Sequence, residues 1–156
     1  MGILVERQQH PTERKLDHIN KLLALEEQFK EEGVLDDPKD HTNHYHCEGA
    51  YVREYVLPKG HFVTGKIHRK ACINILLTGK VIVSQSDGQR TMSAPCIYIS
   101  EPGEKKALYA LEETRFLNVH ATEETDQDVL EEIFTVPSLE YIEQLTTEHS
   151  LWLGHH

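Results

Sequence analysis

Between Ala50 and His120 the chain alternates apolar and polar residues in short segments, each closed by a turn signal. A period of two puts successive side chains on opposite faces of a strand, so each segment has one face to bury and one to solvate. Tyr51–Leu57 alternates and ends at Pro58-Lys59-Gly60, and His61–His68 follows. Cys72–Leu77 runs into Thr78-Gly79, and Lys80–Gln85 into the hairpin turn Ser86-Asp87-Gly88-Gln89. Cys96–Ser100 stops at Glu101-Pro102-Gly103-Glu104, then Lys106–Leu111 and Arg115–His120 complete the series. About seven short strands at roughly ten-residue spacing predict an all-β sandwich or barrel. No helix-length pattern interrupts them, which excludes a parallel α/β sheet.

Both ends read as helical. Thr12 is placed to cap a helix reaching about Glu32, with Glu13 in the first turn and Gly33 as the stop. Leu16, Ile19, Leu22, Leu23 and Phe29 recur at three- and four-residue steps, an amphipathic stripe. That stripe packs either on its own domain or against another subunit. Val34 to His44 reads as a polar linker. Near the other end, Thr125 with Asp128 starts a helix carrying Val129, Leu130, Ile133 and Phe134. Pro137-Ser138 opens a second, short one with Leu139, Ile142 and Leu145 on one face. The domain plan is therefore a helix and linker over 1–44, a barrel over 45–122 and a helical extension over 123–156.

Charge and cysteine usage exclude several functions. With 16 Lys+Arg against 26 Asp+Glu, the 156-residue chain carries a formal net charge of −10. A broad nucleic-acid or anionic-membrane footprint is excluded on that balance, although Lys66, His68, Arg69 and Lys70, then Lys105 and Lys106, cluster locally. No apolar run is long enough to span a bilayer, and Ile3-Leu4-Val5 is too short for a signal-peptide core. Cys47, Cys72 and Cys96 are odd in number and lack CxxC spacing. The expectation is a cytoplasmic protein, in a host cytoplasm if phage-encoded, with virion association as an alternative. The terminal Gly154-His155-His156 receives no role. Motifs for serine-hydrolase, P-loop and dinucleotide chemistry are absent from the sequence.

The stretch from Lys66 to Gly79 resembles the first motif of the cupins, H-x-H, three or four residues, E, six residues, G. Aligned on Gly79, His68 takes the second histidine position, Lys66 the first and Cys72 that of the glutamate. Pro102-Gly103 looks like the turn of the second motif, with Lys106 where that motif keeps a histidine. A closer resemblance is to uncharacterised cupin-like proteins of tailed phages and prophages. It is carried by Gly49-Ala50-Tyr51-Val52-Arg53-Glu54, Gly65-Lys66-Ile67-His68-Arg69, Ser100-Glu101-Pro102-Gly103 and Val119-His120-Ala121-Thr122, with Glu124-Thr125-Asp126 just after. The resemblance, over roughly His44 to Asp126, implies an all-β core with a cupin-like double-stranded β-helix, a jelly-roll barrel, to which the helical patterns at the two ends add an N-terminal amphipathic helix and short C-terminal helices.

Strand parity then predicts an interior. With His68 pointing in, so do Lys66, Thr64 and Phe62; Cys72, Asn74 and Leu76 follow on the next strand, and Phe116, Asn118 and His120 share a face. The core bulk is expected from Ile73, Ile75, Leu77, Val81, Val83, Ile97 and Ile99. Candidate ligand-binding residues are Lys66, His68, Asn74, Glu101, Lys106, Tyr109 and His120, with His68 and His120 as candidate metal ligands. Imidazole with carboxylate suits a divalent transition metal: Zn, Fe, Ni or Mn. Three readings stay open: a metal site, histidines that only hydrogen-bond within the barrel, and a metal-free pocket for an anion held by Lys66, His68, Arg69 and Lys106. His44-x-His46 is expected to be a solvated pair, Cys72 a buried small hydrophobe and Lys105-Lys106 a solvated turn.

In functional terms, the sequence reads first as a phage-type cupin-like accessory or binding protein. Its pocket would take a small-molecule or glycan-like ligand, or its role would be structural. The alternative is a metal-dependent cupin enzyme, a dioxygenase, isomerase or epimerase, using His68 and His120. The expected partner is a second copy of the chain, a homo-oligomer, with no nucleic acid and no membrane.

Overall fold

The computed structural model describes residues 9–35 and 37–154. Met1-Gly2, Ile3-Leu4-Val5 and His155-His156 therefore lie outside the described residues. The first helix, α1, spans Pro11–Glu32. His10, not Thr12, caps it: the His10 ring accepts from the Thr12 N–H, and Pro11 sits in the first turn, where its missing donor costs nothing. Gly33 ends it in the left-handed conformation at φ 74°.

Eleven strands follow among the described residues. They are β1 (Thr42–Cys47), β2 (Ala50–Leu57), β3 (Phe62–Thr64), β4 (Ile67–His68), β5 (Cys72–Thr78), β6 (Lys80–Gln85), β7 (Gly88–Ser93), β8 (Cys96–Ser100), β9 (Ala107–Ala110), β10 (Thr114–Ala121) and β11 (Thr135–Val136). Five form one antiparallel sheet in the order β1-β2-β10-β5-β8, and four form the facing sheet in the order β3-β9-β6-β7. The sequence-distant pairing of β2 with β10 and β10 with β5 gives the jelly-roll weave of a cupin-like barrel. Helix α2 (Gln127–Phe134) is capped by Asp126, whose carboxylate accepts from two N–H groups. Helix α3 (Ser138–Gly154) runs 17 residues, longer than the short segment expected. Among the described residues no helix is long and apolar enough to cross a membrane.

The barrel core lies between the two sheets: Tyr55, Leu57, Val63, Leu76, Val81, Val83, Leu108, Ala110 and Phe116. Of the expected core residues, Val81 and Val83 are fully buried, but Ile73, Leu77, Ile97 and Ile99 are exposed and Ile75 is half-buried. Parity explains the error. Cys72, Asn74 and Leu76 face in and are buried, so their aliphatic neighbours must face out. Parity also fails in one place. Gly65-Lys66 separates β3 from β4 and restarts the phase, so that Val63 enters the core. Phe62 and Thr64 instead face α1, where Phe62 meets Phe29 edge-on and Thr64 donates to Glu26.

The stripe of α1 packs on its own barrel. Ile19 and its neighbours Leu16 and Leu23 join Ile67, Val136, Leu145, Tyr141 and Ile142 in a second cluster. Gly103 is needed here, because its φ of 83° is a left-handed conformation that side chains disfavour and a Cβ would also run into the Tyr141 ring and hydroxyl.

Candidate functional site

Three elements meet at one mouth of the barrel. Tyr51, Arg53 and Tyr55 share the inward face of β2, His120 that of β10, and His68 ends β4. Phe134 closes the side from α2. Together with His44, Lys66, Gln127 and Leu130 they line a cavity of about 260 Å³, whose rim carries Asp37, Lys39, Asp128 and Glu131. That volume suits a molecule smaller than those filling the roughly 300–1,000 Å³ of drug-sized pockets.

Despite lying far apart in sequence, His68 and His120 stack at 5.6 Å and 12°. His120 also stacks on Phe134 at 4.3 Å, and Tyr51 lies beyond it at 5.9 Å. Burial pushes the His120 imidazole down to about 4, helped by Arg53 and Lys106. The same burial, with Lys106, Arg53 and His120, holds His68 well below the ordinary histidine range. Both rings are therefore neutral at physiological pH. Two buried atoms at the cavity have no protein partner: Nδ1 of His68 and Nε of Arg53. The Arg53 guanidinium lies 5.1 Å above the Tyr55 ring, which orients it.

The expected site residues separate into three groups. His68, His120 and Lys66 reach the cavity, and Lys66 lies across its mouth in an ion pair with Glu131 of α2. Asn74 and Lys106 lie deeper and bind each other: Lys106 donates to the Asn74 side-chain oxygen at 2.6 Å. Glu101 and Tyr109 do not join them. Glu101 is exposed after β8, and Tyr109 takes the outward register of β9 because Leu108 and Ala110 fill the inward one. Arg69 also turns away, donating to the Thr135 carbonyl.

Three further expectations need amendment. Lys105 and Lys106 are buried, not solvated, because Lys105 pairs with Glu26 at 2.9 Å and Lys106 has Asn74. His44 and His46 are exposed but engaged, His44 with the Tyr51 hydroxyl at 2.7 Å and His46 with Gln127 at 3.0 Å. Cys72 is buried, as expected, yet its sulfur also groups with His68 and His120, the three ligand atoms lying within 4.8 Å of one another.

The trio could hold a metal. Two imidazoles and a thiolate suit a borderline-soft divalent ion such as zinc. Neutral rings keep their lone pairs free, and the orphaned His68 Nδ1 is available. Against this, burial pushes the Cys72 thiol up, so an ion must displace its proton. The cations of Arg53 and Lys106 also act on the same rings.

Sequence reasoning missed Arg53, Tyr51, Tyr55 and Phe134. A signal existed for Arg53: it occupies the inward register of an otherwise apolar strand face, between Tyr51 and Tyr55.

No protein-family model matches the chain, and no curated protein sequence does. Among solved structures it is similar to a cupin superfamily protein from Desulfitobacterium hafniense DCB-2, at 9% identity and TM-score 0.43 over 51% of this chain and 72% of that one. It is similar to a cupin domain from Bordetella pertussis Tohama I, at 17% identity and TM-score 0.41 over 52% and 91%. The Cnp3 cupin domain of Schizosaccharomyces pombe is a third, at 14% identity and TM-score 0.45 over 58% and 67%. These are partial likenesses of a β core, and the antiparallel two-sheet weave places this chain's core in the cupin-like fold class.

Proposed function

We propose that this chain is a ligand-binding barrel whose cavity takes a small organic anion. The anionic group sits on Arg53, and the body of the ligand lies against Tyr51, Phe134 and the two neutral imidazoles. The carrying observation is the buried Arg53 Nε, which has no protein partner in a cavity of ligand size. Buried donors are nearly always satisfied, and an unsatisfied one calls for a partner from outside the chain. A guanidinium fork matches a carboxylate in two parallel hydrogen bonds. A phage-type accessory role belongs to the same reading and rests on the sequence resemblance.

The experiment compares melting temperatures of untagged protein with benzoate and D-glucuronate, and with the uncharged benzamide and D-glucose. An acid at ten times its dissociation constant raises the midpoint by about 3–5 °C, and the uncharged partners do not. Equal shifts from charged and uncharged molecules contradict the proposal.

A second reading is favoured by the His68, Cys72 and His120 group: a metal centre, with the ion supplying Lewis-acid or redox chemistry to an enzyme. Stoichiometric zinc, iron, nickel or manganese by elemental analysis, together with a fall in melting temperature on adding EDTA, selects it.

A further inference from the structure

One rung of the five-stranded sheet is polar from edge to edge. His44 pairs with Arg53, Arg53 with Asn118, Asn118 with Asn74 and Asn74 with Tyr98. Asn118 and Asn74 lie in its middle and are buried, so the rung runs through the barrel interior. Three of its atoms, Nε of Arg53, Oδ1 of Asn118 and the Tyr98 hydroxyl, are buried without a protein partner. Arg53 lines the outer cavity already described. Asn118 lines a second, inner chamber of about 20 Å³, which adjoins the outer one across Tyr55, Lys66 and His68. Lys106 lines the inner chamber too, with Phe116 and Leu108 as apolar wall. That volume admits one water-sized group, which needs polar partners to stay there.

We infer that the inner chamber is a subsite for a single hydroxyl, so that the ligand is a short hydroxy acid with its carboxylate on Arg53 and its hydroxyl between Asn118 and Lys106. The hydroxyl subsite rests on the anion reading of Arg53 and adds the ligand's chemical class to it. Hydrogen-bond chemistry selects the group. Asn74 takes one of the three N–H bonds of the Lys106 ammonium, which leaves donors to offer, while the Asn118 oxygen accepts and has no donor. A hydroxyl meets both with one oxygen, because it accepts and donates. A second carboxylate only accepts, leaves Asn118 unmet and exceeds the room. An amine brings a third cation beside Lys106 and Arg53. The spacing fits as well: Arg53 and Asn118 are direct partners on neighbouring strands, about 4.8 Å apart, so a short acid reaches both. A buried site built for a hydroxyl rejects the analogue that lacks it, because its polar groups then stay unpaired.

The test is calorimetric titration of butanoate and the three positional isomers of hydroxybutanoate into the untagged full-length chain. EDTA is present, so that chelation of a metal cannot supply any gain. The pH is 7, where Lys106, lowered only to about 8, is mostly charged. At least one isomer binds at least tenfold more tightly than butanoate. The methyl ether of that isomer loses the gain, since it cannot donate to Asn118. In Asn118→Leu the affinity ratio of hydroxy acid to butanoate falls to about one. Should that variant lower the melting temperature, the ether comparison in the unsubstituted chain decides alone. Butanoate that binds through Arg53 with no isomer exceeding it overturns the subsite and leaves the anion reading standing. A gain that survives methylation or Asn118→Leu also overturns the subsite. No binding by any of the four acids overturns both.

Discussion

The Lys106 ammonium donates to the Asn74 side-chain oxygen at 2.6 Å inside the barrel, where both residues are buried. Asn74 is itself fixed, since its amide donates to the Cys72 carbonyl and the Ser100 hydroxyl, both at 3.0 Å. The lysine nitrogen also lies 5.9 Å from the Tyr98 and Phe116 rings. The barrel thus holds a cation of its own, at the position where the cupin motif that it resembles keeps a histidine. With Arg53, it biases the cavity toward anions and acts against a divalent ion.

This pair should behave as a unit. Replacing Lys106 by Met leaves the Asn74 oxygen buried without a donor and costs about 1–3 kcal/mol. Asn74→Leu strands the ammonium and costs more, about 3 kcal/mol or above. The double substitution recovers part of that loss. Urea denaturation of the four proteins measures the coupling, and strictly additive losses would show that the bond contributes nothing.

The histidines fix the acid limb of stability. Burial lowers His120 from its ordinary 6.5 to about 4, and His68 moves the same way. Between pH 6.5 and about 4 the unfolded chain binds protons that the folded chain refuses, so stability falls as pH drops through that window. His120 alone accounts for on the order of 3 kcal/mol. His120→Gln should flatten the fall in denaturant midpoint across this range. The same shift moves the pH dependence of any metal binding: protonation of His120 competes only near pH 4, below the ordinary imidazole range.

Lys106 gives the alkaline counterpart. Its amine is lowered to about 8, chiefly by burial. From about pH 8 to 10.5 the unfolded chain holds the extra proton, so this residue makes stability rise with pH there. Lys106→Met should remove that rise, as read by denaturant midpoints at pH 8 and 10.

Helix α1 is held to the barrel by charge as well as by its stripe. Glu26 pairs with the buried Lys105, accepts from Thr64, and so fixes the β3 end, while Lys105 also donates to the Gly65 carbonyl at 3.1 Å. Glu26→Ala should cost about 2–4 kcal/mol by leaving that ammonium unpaired. A chain beginning at Asp40 should lose more, since Ile67 and Val136 become exposed. Melting temperatures check both, and an unchanged midpoint on losing α1 would contradict the packing described.

Most strands were legible because alternation and turn residues mark them; Lys80–Gln85 and Cys96–Ser100 fall where the pattern places them. β1 and β7 were not. Asn43-His44-Tyr45-His46 and Gly88-Gln89-Arg90-Thr91 are polar edge strands without an apolar face to alternate. In Cys72–Leu77, parity from His68 correctly puts Cys72, Asn74 and Leu76 inside. The bulk of the core is nonetheless assigned to Ile73, Ile75 and Leu77 on the opposite face, because both faces are apolar there and hydrophobicity cannot say which one points in. His68 and His120 could be proposed as a pair from motif and parity. Arg53 and Phe134 could not be joined to them, because their meeting depends on the β2–β10 register and on α2 folding back.

The central claim, an anion held by Arg53 in a cavity of neutral imidazoles, is tested most directly by calorimetric titration of benzoate into untagged protein and Arg53→Met. The account predicts one site per chain, affinity constant from pH 6 to 7, and a loss of about 10- to 100-fold on substitution, the worth of one charge-assisted contact. Binding that survives Arg53→Met, or that requires added metal and vanishes with EDTA, would contradict it.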